Sequence, residues 1–334
     1  MPYWMQEIGW IQAIQQIGSL FESPMKAISF LGTEGFYLIL MPFLYWCVDS
    51  AIGFRVGLML LLSNGMNTFA KVALHNPRPY WVDNRIIPYA HETSFGAPSG
   101  HAMNSASIWG LLAASIRRRW LTIVCVVTII LIGFSRVYLG VHFISDVLLG
   151  WLLGAALLVV FIRLDPVMAE MLRRRSMWQI TLICIASSIA ILIMIALPVW
   201  LMGDWQAPAT WQELAARADA NTPIHPLNLT NAFTISGIWL GTTLGYAWFK
   251  QLKIGRINKG TFGNLALRYL VGMAGVIILW YGLGQVLPRN EDVVSYGLRY
   301  VRYALIGAWI VLFAPMLFVK LRLINNQTMV KEVE

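Results

Sequence analysis

Two histidines, an aspartate and three basic residues carry the chemistry this sequence can do. They fall in three short stretches: KVALHNPRPYW (71–81), FGAPSGHAMNS (95–105) and SRVYLGVHFISDVLLG (135–150). In the third stretch His142 and Asp146 are four residues apart and share a helical face. The aspartate can accept from one imidazole nitrogen and leave a lone pair on the other, which makes a nucleophile. Arg136 and His142 are six apart, roughly 600° of helical rotation, so one continuous helix would point them apart. Gly140 between them supplies the break. In the second stretch Pro98, Ser99 and Gly100 lead into a helix with His101 in its first turn. Backbone N–H groups there lack partners, and the helix dipole favours an anion. Gly100 has no side chain to keep that anion away from the backbone. In the first stretch Lys71 ends a helix, while Pro77 and Pro79 hold Arg78 in extended chain. Together these groups describe a phosphate site with a nucleophile and an acid.

The elements that must position them are membrane helices. Of 334 residues, 58% are hydrophobic and 12% charged; soluble domains carry about 25% charged residues. Hydropathy places about nine spans, near 28–48, 52–70, 100–116, 120–136, 142–162, 178–200, 231–249, 267–287 and 303–319. The expected fold is therefore all-α, a polytopic membrane helical bundle. The net charge of +9 reflects basic cytoplasmic loops. No zinc-finger spacing or basic, aromatic-interleaved segment supports a nucleic-acid partner. Cys47, Cys125 and Cys184 all fall inside apolar runs and read as buried hydrophobes.

Basic residues concentrate on one side of the spans, at Arg117 to Arg119, Arg173 to Arg175, and Lys250, Lys253, Arg256 and Lys259. The positive-inside rule makes that side cytoplasmic and the amino terminus external. All three chemical stretches then face the extracytoplasmic side, and the carboxyl terminus is cytoplasmic. The segment 1–27 has apolar residues at helical spacing and is expected at the membrane surface. Residues 28–166 form the working core, and 167–334 an appended bundle with few ionisable groups in its spans.

The three motifs resemble those of the type 2 phosphatidic acid phosphatase superfamily, the lipid phosphate phosphatases. That family carries Lys-x6-Arg-Pro, then Pro-Ser-Gly-His, then Ser-Arg-x5-His-x3-Asp. Lys71, Arg78 and Pro79, then Pro98 to His101, then Ser135, Arg136, His142 and Asp146 match in order and spacing. The segment 31–49 and GAPSGHAM are similar to the sphingosine-1-phosphate phosphatase branch, which also has extra C-terminal spans. The resemblance implies that His142 attacks phosphorus to give a phosphohistidine. Asp146 holds its tautomer, and His101 protonates the leaving alkoxide. Lys71, Arg78, Arg136 and the N–H groups around Ser99 and Gly100 hold the phosphoryl oxygens. No carboxylate cluster suited to Mg²⁺ accompanies the motifs, so neither metal nor other cofactor is expected.

Other polar residues have plainer readings beside functional ones. Glu34 lies in the first span, where it could pair with a site cation or a substrate amine, or simply hydrogen-bond within the bundle. Asn67, one turn before Lys71, could orient its ammonium or bond another helix. Tyr80 and Trp81 follow Arg78-Pro79 and suit either an interfacial belt or a lipid entrance. His75 and His91 belong to no motif and are expected in solvated loops. The substrate expected is a lipid monophosphate or diphosphate on the outer leaflet. A lipid phosphotransferase using the same histidine, and a silent transporter or scaffold, are the alternatives. The C-terminal spans suit a homodimer contact, a lipid cavity or a regulator's site, and their residues do not choose.

Overall fold

The structure, a computed structural model, describes residues 4–252, 257 and 260–324. Every regular element among them is helical. The helices used below are α1 (Trp4–Gln15), α2 (Glu22–Phe30), α3 (Glu34–Phe43), α4 (Ser50–Leu74), α5 (Gly100–Ile116), α6 (Arg119–Tyr138), α7 (Ile144–Arg173), α8 (Met177–Met202), α9 (Ala209–Ala218), α10 (Thr230–Gln251), α11 (Phe262–Ile277) and α12 (Val293–Ala308). Lys253, Arg256 and Lys259 of the basic run lie outside the described residues.

Each of the nine expected spans falls on helix, but fewer meet a span's length and apolarity. Five helical segments do, and six if the bent pair Ser19–Phe30 and Glu34–Val48 counts as one. The other three are α4, α5 and α10. Helix α5 is too short, at 17 residues, and α4 and α10 are not apolar enough; all three bury polar side chains, Ser63 and Asn67 on α4, Asn104, Ser105 and Ser107 on α5, Ser236 and Thr242 on α10. Ser63 Oγ donates to Asn104 Oδ1 at 2.6 Å, and Asn104 Nδ2 to Asn64 Oδ1 at 2.8 Å. Such pairs satisfy polar groups inside a bundle while lowering its hydropathy.

The chain forms two compact units. The first comprises Met1–Tyr37, Leu62–Arg163 and Ile195–Asn228; the second comprises Leu38–Leu61, Leu164–Met194 and Leu229–Glu334. The boundary near residue 166 is thus only one of several crossings, because folding groups residues by packing rather than chain order. The 195–228 segment returns to the first unit, where Trp205 packs edge-on to Phe95 at 5.1 Å.

Helix α1 is anchored inside this unit. Ile8 and Ile11 on α1 are buried. Gln15 Nε2 donates to the carbonyls of Ile87 at 2.7 Å and Tyr138 at 3.0 Å. Glu7 accepts from Ser145 N at 3.0 Å, placing a carboxylate on the open N-terminus of α7.

Two glycines bring the site together. A methyl added at Gly150 of α7 would stand 2.6 Å from the Ser99 carbonyl, and one at Gly154 would stand 2.5 Å from that of Met103. The Gly-x3-Gly spacing lets α7 ride directly on the backbone of α5. On the other side of α7, Gly133 of α6 lies under the Trp151 ring, 2.2 Å from where its own methyl would be. Gly154→Leu forces α5 and α7 apart. We expect it to lower stability by about 1–3 kcal/mol, read as a reduced thermal midpoint in detergent, with activity falling in parallel.

Candidate active site

The position of His142 comes from a broken helix. Gly140 takes φ 71°, a conformation that other residues rarely adopt, and turns the chain between α6 and α7. His142 follows in that turn, 1% exposed. Its Nδ1 lies 3.2 Å from Asp146 Oδ2, and Phe143 N donates to the same oxygen at 3.0 Å. A carboxylate fixed by a backbone donor fixes the ring in turn, leaving Nε2 as the free lone pair. Arg78 Nη1 stands 3.3 Å from that Nε2.

Arg78, Lys71 and Arg136 all lie near enough to act on the charge of this ring. Arg78 is 1% exposed and splayed across the 92–96 loop. Its Nε donates to the Ser94 carbonyl at 2.7 Å, Nη2 to Ser94 Oγ at 3.1 Å and Phe95 O at 3.2 Å, and Nη1 to Val141 O at 3.0 Å. Lys71 Nζ donates to the Phe95 carbonyl and, at 3.4 Å, to that of Gly96. Arg136 Nη1 donates to Ser29 Oγ at 2.8 Å and Nη2 to Glu92 Oε1 at 2.5 Å. Arg136 Nε is buried with no hydrogen-bond partner. An idle donor of that kind in a buried cationic cluster suits an incoming anion.

Burial first, then Arg78, Lys71, Arg136 and His101, hold the His142 imidazole well below the usual histidine range. The ring is therefore neutral and nucleophilic at ordinary pH. Burial would raise the Glu92 carboxyl, but Arg78 and Arg136, with His101 and Lys71, outweigh it and hold it well below the usual carboxylate range. Glu92 is thus an anion among cations, 3.8 Å from Arg78 Nη2 as well as bonded to Arg136.

His101 sits on the less buried side of the cluster. His101, Gly100, Lys71 and Glu92 are half-buried, whereas His142, Arg78, Arg136 and Asp146 are buried. A Gly32 methyl would stand 3.2 Å from His101 Cβ, so this bend before α3 packs against the acid. A phosphoryl group between the histidines would have the nucleophile behind it and its leaving group toward the opening.

Lys71, Arg78, His101, Arg136, His142 and Asp146 therefore come together from four separate segments. Ser99 takes a different part from the one expected. Its N–H donates to the Asp146 carbonyl at 2.9 Å, and its Oγ caps α5 by accepting from Ala102 N at 3.4 Å. The first intrahelical bond runs from Met103 N to Ser99 O at 3.0 Å, so Gly100 and His101 precede it as first-turn donors. Asn67 does not hold Lys71: its Nδ2 donates to the Pro98 carbonyl at 3.1 Å, clamping the cap. Tyr80 and Trp81 are buried rather than lining an opening. Tyr80 Oη donates to the Glu92 carbonyl and accepts from Glu92 N, each at 3.0 Å, and Trp81 stacks under Arg78 at 5.9 Å. Glu34 begins α3, exposed, where a carboxylate suits the helix dipole; no hydrogen bond or ion pair joins it to the cations. His75 and His91 are exposed. Glu92, Ser94 and Ser29 were not singled out from the sequence. Glu92 lies nine residues before His101 in a polar loop, and nothing local marks it as the guanidiniums' counterion.

The site and its helical scaffold define a membrane phosphatase, and the comparisons agree. Residues 52–168 match the PAP2 superfamily model, and 233–327 match the PAP2 superfamily phosphatase transmembrane extension. Phosphatidylglycerophosphatase B of Bacillus subtilis is 33% identical over 166 residues, 44% of this chain and 78% of that protein. Human sphingosine-1-phosphate phosphatase 2 is 32% identical over 141 residues, and there the match spans 39% of this chain and 34% of the relative's length. The dog glucose-6-phosphatase catalytic subunit 1 is 24% identical over 297 residues, 80% of this chain and 81% of that protein. The chain belongs to the PAP2 superfamily, and it is an integral, multi-pass membrane enzyme that hydrolyses phosphate esters.

Glu92 occupies cations that a phosphate needs. Glu92→Gln removes the resident charge, and phosphate analogues then bind without displacing it. Vanadate inhibition is expected to strengthen about tenfold or more, since a charged hydrogen bond is worth about 1.5–3 kcal/mol. In anion-free buffer the same variant loses thermal stability, because Arg136 is left buried and unpaired. The depressed His142 value sets a pH prediction. A lowered value keeps the nucleophile neutral as pH falls, so the acid limb of kcat/KM for a substrate without its own titration there lies below about 6.5. Lys71→Gln removes one depressing charge and moves that limb upward, whatever its effect on the plateau rate.

Proposed function

We propose that this protein hydrolyses a lipid phosphate at the outer leaflet through a phosphohistidine, without a metal. The observation that carries this reading is the orientation of His142, with Nδ1 on Asp146 at 3.2 Å and Nε2 beside Arg78 Nη1 at 3.3 Å. Nε2 attacks phosphorus, and the P–O bond to the lipid breaks in line. His101 gives a proton to the departing oxygen. Asp146 stabilises the charge that develops on the ring. Water then attacks the phosphohistidine, His101 takes its proton, and the N–P bond breaks to release inorganic phosphate. Lys71, Arg78, Arg136 and the first-turn N–H groups meet the equatorial oxygens throughout. These fixed cations do the work that divalent ions do elsewhere.

The excess of basic residues on the opposite loops supports an extracytoplasmic site. The names of the bacterial and human relatives support a lipid substrate. A water-soluble phosphate ester is the second reading, favoured by the match to glucose-6-phosphatase over 80% of this chain. A substrate panel of phosphatidylglycerol phosphate, phosphatidate, a sphingoid phosphate, undecaprenyl diphosphate and glucose 6-phosphate separates the two. Release of inorganic phosphate into water distinguishes hydrolysis from transfer to a second lipid.

Rapid acid-free quenching with ³²P-labelled substrate is expected to label His142 with an acid-labile, base-stable bond. His142→Ala abolishes label and turnover. His101→Ala lowers turnover by about 10²–10⁴-fold, with label still forming from an activated aryl phosphate that needs no acid. Asp146→Asn lowers turnover by about 10⁴-fold. Activity persists in EDTA; loss restored by Mg²⁺ would refute the metal-free reading.

A further inference from the structure

The second unit holds a pair of guanidinium groups that the phosphatase chemistry does not use. Arg302 lies roughly two and a half turns into α12, and Arg289 stands in the loop before that helix. They meet at Gly284. Arg289 Nε and Nη2 both donate to the Gly284 carbonyl, at 3.0 and 2.7 Å. A methyl at Gly284 would stand 2.8 Å from Arg302 Nη1 and 3.9 Å from Arg289 Nη2. The missing side chain therefore lets both guanidinium groups approach the same stretch of backbone.

Arg302 is 8% exposed, and its Nε is buried with no hydrogen-bond partner. Its guanidinium lies over the Tyr303 ring at 4.9 Å, a contact that satisfies no N–H in the guanidinium plane. The segment Val293–Lys320 is long and apolar enough to span a bilayer. A cation inside such a segment is costly, and in membrane proteins it marks a partner or a ligand. Asp292 is committed elsewhere: it caps α12, accepting from Ser295 N at 2.8 Å and Ser295 Oγ at 2.9 Å. Two planar forks gathered at one glycine suit the oxygens of a phosphate group. Val286, Val293 and Val294, just before and at the start of α12, are exposed apolar side chains suited to acyl chains.

We infer that Arg289 and Arg302 bind the phosphate group of an anionic membrane lipid at a site separate from the catalytic residues. The ligand is a phosphodiester such as phosphatidylglycerol, held by charge and retained rather than hydrolysed. Free inorganic phosphate offers the same oxygens, and the test has an arm for each source.

The full-length protein is placed in nanodiscs of phosphatidylcholine containing phosphatidylglycerol, in phosphate-free buffer, and retained lipid is counted by native mass spectrometry. An Arg136→Gln background disables the catalytic pocket, so remaining phosphatidylglycerol reports the second site. We expect one tightly held phosphatidylglycerol per chain in that background. Adding Arg289→Gln or Arg302→Gln should reduce its retention about tenfold, the loss of about 1.4 kcal/mol. Arg289 is exposed on a loop, so its variant decides the matter if Arg302→Gln does not fold. In the second arm, inorganic phosphate is titrated against thermal midpoint in lipid-depleted detergent. Stabilisation by phosphate that Arg289→Gln removes, without selective lipid retention, assigns the site to free phosphate. Equal retention in all variants and no phosphate-dependent stabilisation overturn the site. None of these readings depends on turnover at His142.

Discussion

Charge buried in a helical bundle must be answered, and the organisation of the first unit follows from that constraint. Arg78, Lys71 and Arg136 cannot rest in a low-dielectric interior without oxygens around them. The 92–96 loop supplies them, through the carbonyls of Ser94, Phe95 and Gly96 and the Glu92 carboxylate. Each carbonyl neutralises only part of a charge, so the cluster stays positive enough to hold a phosphate dianion. The same groups that make the buried cations tolerable thus leave them able to meet an anion. Glu92 differs from the carbonyls in carrying a full charge and in being half-exposed, which makes it the one anion that can leave.

The neutral His142 is a second consequence. A histidine paired with aspartate usually gains positive character, yet here surrounding cations and burial push the other way. The aspartate therefore does less to charge the ring than to aim it. Phe143 N and the close backbone of Gly96, whose methyl would stand 3.2 Å from Asp146 Oδ2, pin the carboxylate in place. A phosphate dianion entering among the cations cancels part of their field. The nucleophile and the acid then sit in a less positive environment, in which an imidazolium at His101 is easier to sustain.

The residues that gather at the candidate site were legible because their types and spacings are constrained locally. A His and Asp four apart, a glycine break, and a proline-bracketed arginine each imply geometry over a few residues. The supporting contacts were not, because they join segments remote in the chain. Glu92 reaches Arg136 across 44 positions, and Ser29 reaches it across 107. Ser99 looked like a phosphate donor from its motif, but its N–H faces Asp146, a choice made only when α7 closes on α5. Gly150 and Gly154 carry the signal for that closure in their four-residue spacing, although the span reading treated them as ordinary apolar helix. Fewer than nine helices carry a lipid-facing composition for a related reason. Asn64, Asn67 and Asn104 pair with other segments of the first unit, so helices that look membrane-like in places are too polar by the measure a lipid-facing helix would satisfy.

The polar inner faces explain why the cap carrying His101 is as rigid as the turn carrying His142. Asn67 holds the Pro98 carbonyl, and its Oδ1 would stand 2.9 Å from a methyl at Gly100, so the start of α5 is clamped from one side. From the other side Ser99 N binds the first turn of α7 through the Asp146 carbonyl. That bond links the two histidines' elements directly: Asp146 aims His142 with its side chain and fixes the His101 helix with its backbone. One residue thus sets the distance between nucleophile and acid. An in-line displacement tolerates little error in that distance, since both groups must reach a single phosphorus atom and the oxygen leaving it. Ser99 of the Pro-Ser-Gly-His stretch accordingly ties the start of α5 to the first turn of α7. A motif that holds its spacing this closely is measuring the gap between two helices.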